Sequence, residues 1–240
     1  MNKVGVGAAA VAGAGFAVFH GQWPTSQLYG ATICRGPAGV RKIALTYDDG
    51  PNPKHTPRLM EILDRHDAHA TFFSIGQWAA REPELLRELK AAGHAVGNHT
   101  HTHPTMPLLS SAQVKDELAR CREAVEASGI EFDTVDGAAL MRPPYGRRRP
   151  GTLRAMREEG YVPVTWSVTC YDWRNSATRH KVAHRASRAI EGDVILLHDG
   201  GNLEPAADRS HSVAATEDTL KKFKAEGYEF VTVPEIIGET

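Results

Sequence analysis

From Lys42 onward, short apolar runs rich in Ile, Val, Leu, Thr and aromatic residues alternate with longer segments whose apolar positions recur at helical spacing. The runs predict strands over Lys42–Tyr47, Ala70–Ile75, Ala95–Asn98, Leu140–Arg142, Val162–Ser167, Asp193–Leu197 and Tyr228–Thr232. The amphipathic segments predict helices over Thr56–His66, Pro83–Ala92, Ser110–Ser128, Pro150–Glu159, Thr178–Ile190 and Val213–Glu226. The helix over Ser110–Ser128 is the best defined, because Ser110 and Ser111 offer a cap and Leu118, Cys121 and Val125 share one face. Gly129, Gly160 and Gly227 stand where the preceding helices should close. Regular alternation of strand and helix implies an α/β fold on a parallel sheet. At 240 residues with 41% hydrophobic content, the chain fits one such domain better than two.

The stretch Val4–Phe19 breaks this pattern, being built only from Val, Gly, Ala and Phe between Lys3 and the turn-like His20-Gly21-Gln22-Trp23-Pro24. It fits a signal peptide, a short signal anchor or a flexible tail, and is shorter than the ~20 residues that span hydrocarbon. Residues 1–41 are therefore expected to be a signal- or anchor-like segment with a linker over Gln22–Val40, and residues 42–237 the main domain. Location in the cell envelope or outside the cell, with membrane attachment through this segment, is the matching expectation. With 28 basic and 29 acidic residues the net charge is -1, so no global field recruits nucleic acid, and a monomer is expected. Cys34, Cys121 and Cys170 are odd in number and widely spaced, which excludes a disulfide framework or a Cys-x-x-Cys knuckle.

Chemistry concentrates where predicted strands end. Asp48-Asp49, His99 to His103, Arg142 to Tyr145, Asp172-Trp173 and His198-Asp199 all lie just past such an end, the rim on which a β/α barrel builds its active site. The fold expected is thus a distorted (β/α) barrel of about seven parallel strands. The strand before Asp48-Asp49 should stop near Tyr47, and adjacent residues leaving a strand point in different directions, so the two carboxylates can take separate tasks. His99 and His103 are four apart, and one compact turn brings both to one side, with His101 pointing away. With Asp49 they make a His, His, Asp set that leaves positions open for water and substrate, as a hydrolytic metal site requires. Trp166 and Trp173 are suited to stacking on sugar faces or to filling a core. Arg147-Arg148-Arg149 reads as a solvated basic loop, with an anionic glycan or lipid-linked phosphate as the alternative partner.

These motifs together resemble the polysaccharide deacetylases, the NodB-homology group known as carbohydrate esterase family 4, over about Lys42 to Thr232. Thr46-Tyr47-Asp48-Asp49-Gly50-Pro51 is similar to the first family motif, which implies Asp48 as general base and Asp49 as metal ligand. His99-Thr100-His101-Thr102-His103 is similar to the second, supplying two metal-binding histidines. Arg142-Pro143-Pro144-Tyr145 is similar to the third, in which the arginine orients the base and the tyrosine N–H helps form the oxyanion hole. Leu196-Leu197-His198 is similar to the fifth, with His198 as general acid and Leu196 lining an acetyl pocket.

Asp172 and Trp173 fall in the fourth motif and imply substrate contacts. There the family commonly has Asp-x-x-Asp-Trp, whereas Thr169 replaces the first aspartate. In the family that aspartate contacts the catalytic histidine and favours its protonated form, so the resemblance implies that His198 holds its proton less tightly here, that activity falls off at lower pH than in Asp-bearing relatives, and that Thr169→Asp moves that limb upward.

The resemblance implies a divalent metal, zinc first and nickel or cobalt next, and removal of acetyl groups from N-acetylated amino sugars of chitin-like chains or peptidoglycan. An O-acetyl xylan esterase and a weakened glycan-binding relative are the alternatives. A metal-dependent hydrolase of a non-sugar amide is a third, less favoured by the two tryptophans.

Overall fold

The computed structural model describes residues 19–238 together with Gly15. Nearly all of Val4–Phe19 therefore lies outside the described residues, within which no helix is long and apolar enough to cross a membrane. Seven strands run parallel in the order β6 (Tyr161–Pro163), β5 (Ala138–Met141), β3 (Ala95–Asn98), β2 (Ala70–Ser74), β1 (Lys42–Gly50), β8 (Val194–His198) and β7 (Val168–Thr169). A short β4 (Thr134–Val135) pairs antiparallel with β5, and β9 (Glu229–Phe230) pairs parallel with the start of β1. Helices α1 (Thr56–Arg65), α2 (Gly76–Ala79), α3 (Pro83–Ala91), α4 (Ser111–Glu126), α5 (Pro150–Glu158), α6 (Arg179–Ala186), α7 (Ser210–Ala225) and α8 (Val233–Ile236) fill the connections and the C-terminus. Ser110 caps α4 in a reciprocal box with Gln113, as its sequence implies.

The period-two alternation along each strand sorts its side chains into two layers. Ile43, Leu45 and Tyr47 of β1, Phe72 of β2, Met141 of β5 and Ile195 and Leu197 of β8 share one core with the helices, including Leu59, Leu118 and Leu220. Ala44, Phe73, Leu140, Val164, Trp166, Val194 and Leu196 form a second core on the other face. That second cluster joins residues from both ends of the strand order, which a flat sheet would hold far apart. The sheet is curled. Asp48, Arg142 and His198 follow the parity of Ala44, Leu140 and Leu196, so they sit at the top of this inner column.

Curling stops short of a closed ladder. The run Val162–Ser167, expected as one strand, is regular only at its start, in β6, and the next strand, β7, begins beyond it at Val168. Between them Val164 still donates to Met141 O, while Val164 and Trp166 pack into the inner core and Thr165 bonds to the N-terminal segment. The gap is bridged from the N-terminal side: Ile33 pairs with Val164, and Arg35 with Asp193. Gln22–Val40 is thus bonded into the domain instead of linking to it.

The same contact corrects the basic loop. Arg148 is buried, and its guanidinium donates to the carbonyls of Gly146, Trp23, Pro24 and Ser26 at 2.9, 2.7, 3.2 and 2.7 Å. Burial disfavours the charged form of Arg148, yet four acceptors surround it. Arg147 lies over the Tyr145 ring, while Arg149, which donates to Leu109 O, stays exposed, so the solvated reading holds for Arg149 and fails for Arg148.

Arg148→Met should destabilise the protein by about 2–4 kcal/mol, since four carbonyls lose one buried donor. Urea unfolding would show a lower midpoint, and limited proteolysis would cut within residues 19–36 before the sheet opens.

Candidate active site

β1 runs three residues further than expected, to Gly50, and the reason is a bulge. Asp48 is in register with Phe73 of β2 and His198 of β8, Gly50 with Ser74, and Asp49 is the extra residue between them, at φ 71. Regular alternation would send Asp48 and Asp49 to opposite faces. The left-handed kink turns both to the same place, with Asp48 Oδ2 at 3.7 Å and Asp49 Oδ1 at 3.4 Å from His99 Nε2. The Gly50-Pro51 bond beyond is cis.

The His99–His103 loop follows β3 and is held by polar side chains that sequence reading passed over. Asn98 accepts from Thr100 N and donates to Leu118 O and Tyr161 OH. Glu117, on the buried side of α4, accepts from the N–H groups of His101 and Thr102 and from the Thr102 hydroxyl. Thr100 Oγ1 accepts from His103 N at 3.1 Å. The only legible signal was a carboxylate one residue before Leu118 on an otherwise apolar helix face. His101 stands apart from the other two, as expected, its Nδ1 facing Gly76 and Cys121.

Asp49, His99 and His103 bring their ligand atoms within 4.8 Å of one another, and all three are buried. His103 Nε2 lies 3.2 Å from Asp49 Oδ1, a carboxylate oxygen that has no hydrogen-bond partner. The second ring nitrogen of His99, Nδ1, sits 2.8 Å from Arg142 O. A carbonyl only accepts, so Nδ1 carries a proton, and Nε2 is the nitrogen that faces the two aspartates. Burial pushes His103 down to about 4, keeping it neutral at pH 7. Burial opposes ionisation of Asp49, but His99, His103 and His198 together hold its carboxyl well below the usual carboxylate range. Two imidazole nitrogens and one ionised, unpartnered carboxylate oxygen fit a divalent ion.

Asp48 is fixed from the other side. Arg142, fully buried, donates through Nη1 to Asp48 Oδ1 at 2.8 Å and to Thr46 Oγ1 at 2.7 Å, and through Nη2 to Thr165 O. The guanidinium lies 4.1 Å from the Phe73 ring centre. Thr46, which the sequence reading left without a role, faces inward two residues before Asp48 and bonds back to Ile195 O.

On β8, beside Asp48, His198 Nδ1 is 2.8 Å from Asp172 Oδ1. Asp172 is buried, and its other oxygen accepts from His198 N and from the Ser212 hydroxyl, while its carbonyl meets His211 Nε2. Burial alone would lower the His198 pKa; the charge and hydrogen bond of Asp172, then Asp49 and Asp48, override it and raise it to about 9. This corrects two expectations. Asp172 is the partner of His198 and not a substrate contact. Thr169, which accepts a hydrogen bond from Trp166 Nε1, removes nothing from the histidine.

Around the rim, Tyr145 is half exposed at φ 58, its ring 4.6 Å from that of His103 and its hydroxyl bonded to Asn202. Trp173, also exposed, stands 5.1 Å from His198. Trp166 is a core residue, and Leu196 packs with it directly below His198.

A curled parallel sheet with a His, His, Asp ligand set, an arginine-held aspartate and an aspartate-held histidine on one rim defines a metal-dependent hydrolase of the α/β class. The comparisons agree with that class and narrow it. The sequence profile of the polysaccharide deacetylase family matches residues 35–164, and the chain belongs to that family. It is 36% identical to a peptidoglycan-N-acetylglucosamine deacetylase of Bacillus cereus, across 84% of this chain and 90% of the relative. It is 33% identical to a chitooligosaccharide deacetylase of Bradyrhizobium, across 83% and 92%. Its fold matches a family 4 carbohydrate esterase from Streptomyces lividans in complex with acetate, with a TM-score of 0.69 at 32% identity, across 82% of this chain and 92% of that one.

The His198 ring in chelator-treated protein should titrate near 9 by NMR, and in Asp172→Asn near the free value of 6.5, whereas Thr169→Asp leaves it in place. Because the folded value lies above the free one, the stability gained from this pair is complete below pH 6.5 and fades as pH rises through about 9. His103→Ala should lower zinc affinity by at least about 100-fold in a calorimetric titration, by removal of one of three ligands.

Proposed function

We propose that the protein removes acetyl groups from N-acetylated amino sugars of a chitin-like or peptidoglycan chain, releasing acetate. The observation that carries this is the placement of a carboxylate base and a protonated histidine in register on adjacent strands, with the ligand set following from the next residue, Asp49. Asp49, His99 and His103 would hold a divalent ion, zinc being favoured by two nitrogen ligands and one oxygen. When bound, such an ion lowers the pKa of water and polarises a carbonyl oxygen.

The remaining work falls to named side chains. Asp48, held and oriented by Arg142, takes one proton from the attacking water as its oxygen bonds to the acetyl carbon. The backbone N–H of Tyr145 donates to the carbonyl oxygen as it gains charge. His198, protonated by virtue of Asp172, gives its proton to the amide nitrogen as the C–N bond breaks, leaving acetate and a free amine. Leu196 supplies an apolar floor for the methyl group, and Trp173 a face for the sugar ring. We further propose that the chain acts as a monomer at or outside the cell surface, with Val4–Phe19 directing or anchoring it there.

Acetate release should be measured from chito-oligosaccharides, peptidoglycan fragments and acetylated xylan, with protein stripped by chelator and resupplied with zinc. Zinc-restored release from the N-acetylated substrates, lowered by about 10²–10⁴ in Asp48→Asn, is expected. Release from xylan alone would favour the esterase reading. Binding of glycan without release would favour a non-catalytic relative.

A further inference from the structure

Between Asp172 and Glu191 the chain carries five Lys or Arg residues, two histidines and no acid, although the protein as a whole is near neutral. The active site described above uses none of these cations. Part of this run lines a cleft of about 360 Å³ along the outer flank of β7, with Arg35, Thr169, Tyr171, Arg185, Arg188 and Asp193 among its walls. Three guanidinium groups face one carboxylate there, and Asp193 is already paired with Arg35 at 2.7 Å. Arg185 and Arg188 remain, three residues apart on one side of the chain after α6 begins.

This cleft is joined to the active site by a continuous line of rings. Trp173 stands 5.1 Å from His198, and Tyr171 stands 5.4 Å from Trp173. The Tyr171 ring in turn carries two cations, Arg174 at 4.2 Å and Arg185 at 5.1 Å from its centre. Tyr171 itself holds a left-handed backbone, φ 53, which turns the chain outward at this point. Aromatic faces followed by guanidinium forks are the surfaces that take a sugar ring and then an anionic substituent.

Resting on the deacetylase reading of the rim, we propose that the glycan runs from His198 over Trp173 to Tyr171, and that a unit there bears an anionic group received by Arg174, Arg185 and Arg188. The substrate class is then an N-acetylated polymer with carboxylate or phosphate substituents along its length, in preference to a neutral one. Thr169 forms part of the wall of this subsite, which gives the position a place at the substrate side of the fold.

The test compares three soluble N-acetylated oligosaccharides of one length: one carrying free carboxylates, its methyl ester, and a phosphorylated chito-oligosaccharide. For the wild-type zinc-loaded protein, kcat/KM should favour the free acid over its ester by about tenfold at low salt, through KM, as expected for two or three exposed ion pairs. The preference should shrink as salt is added. In the double variant Arg174→Glu, Arg188→Glu, whose sites are exposed, the ratio should fall below twofold. A preference of the phosphorylated over the free-acid oligosaccharide would assign the anion as phosphate within the same proposal. Equal turnover of acid and ester by the wild type, or a ratio unmoved in the double variant, overturns it. Should no oligosaccharide release acetate, the deacetylase reading fails by itself; calorimetric binding of acid and ester to Asp48→Asn protein then decides the cleft, tighter binding of the acid supporting it and equal binding refuting it.

Discussion

The site depends on one buried ion pair, Arg142 with Asp48. Three strand steps separate β5 from β1 in the sheet, about 14 Å if the sheet were flat, well beyond an arginine side chain. The 2.8 Å contact exists only because the sheet curls, and the contact in turn ties the two sides of the curl together. A buried guanidinium without its carboxylate would be costly, and so would the carboxylate without its guanidinium. The Phe73 and Trp166 rings on either side and the Thr46 and Thr165 oxygens complete its surroundings. The same rule governs the second pair. Asp172 stays ionised in the core because His198 and Ser212 satisfy it, and His198 stays charged because Asp172 is there.

Backbone geometry shows where the fold accepts local cost for function. Of seven non-glycine residues in the left-handed region among those described, five are Asp49, Thr100, His103, Tyr145 and Tyr171, all on the catalytic rim. Each costs on the order of 1–3 kcal/mol and persists only where its surroundings fix it. Asn98 and Glu117 do so for the histidine loop through buried hydrogen bonds, and the bulge in β1 does so for Asp49. The rim is therefore an assembly of unfavourable local conformations held by favourable buried contacts beneath it.

The N-terminal segment takes part in that assembly. Arg148 gathers the carbonyls of residues 23, 24 and 26 on one side and of Gly146 on the other, next to Tyr145. Ile33 and Arg35 fill the gap that β6 and β7 leave in the ladder. Strand edges left open invite foreign pairing, and this segment covers part of that opening.

The sequence by itself determined the main alternation of strands and helices, though not the short α2, α8, β4 and β7, and it singled out Asp48, Asp49, His99, His103, Arg142 and His198, which the fold brings to one rim. Those features are written in local periodicity and in motifs whose members lie close together in the chain. Tertiary structure decided the rest. Whether Thr169 or Asp172 partners His198 rests on the path of the loop beyond β7, which brings Asp172 to His198 while Thr169 stays in register with Leu196. The shared direction of Asp48 and Asp49 rests on a single bulge, and the burial of Arg148 on the carbonyls of Trp23, Pro24 and Ser26 far away in sequence. Spacing along the chain carries no information about any of these, because each is fixed by the requirement that a buried charge or polar group meet its partner across the fold.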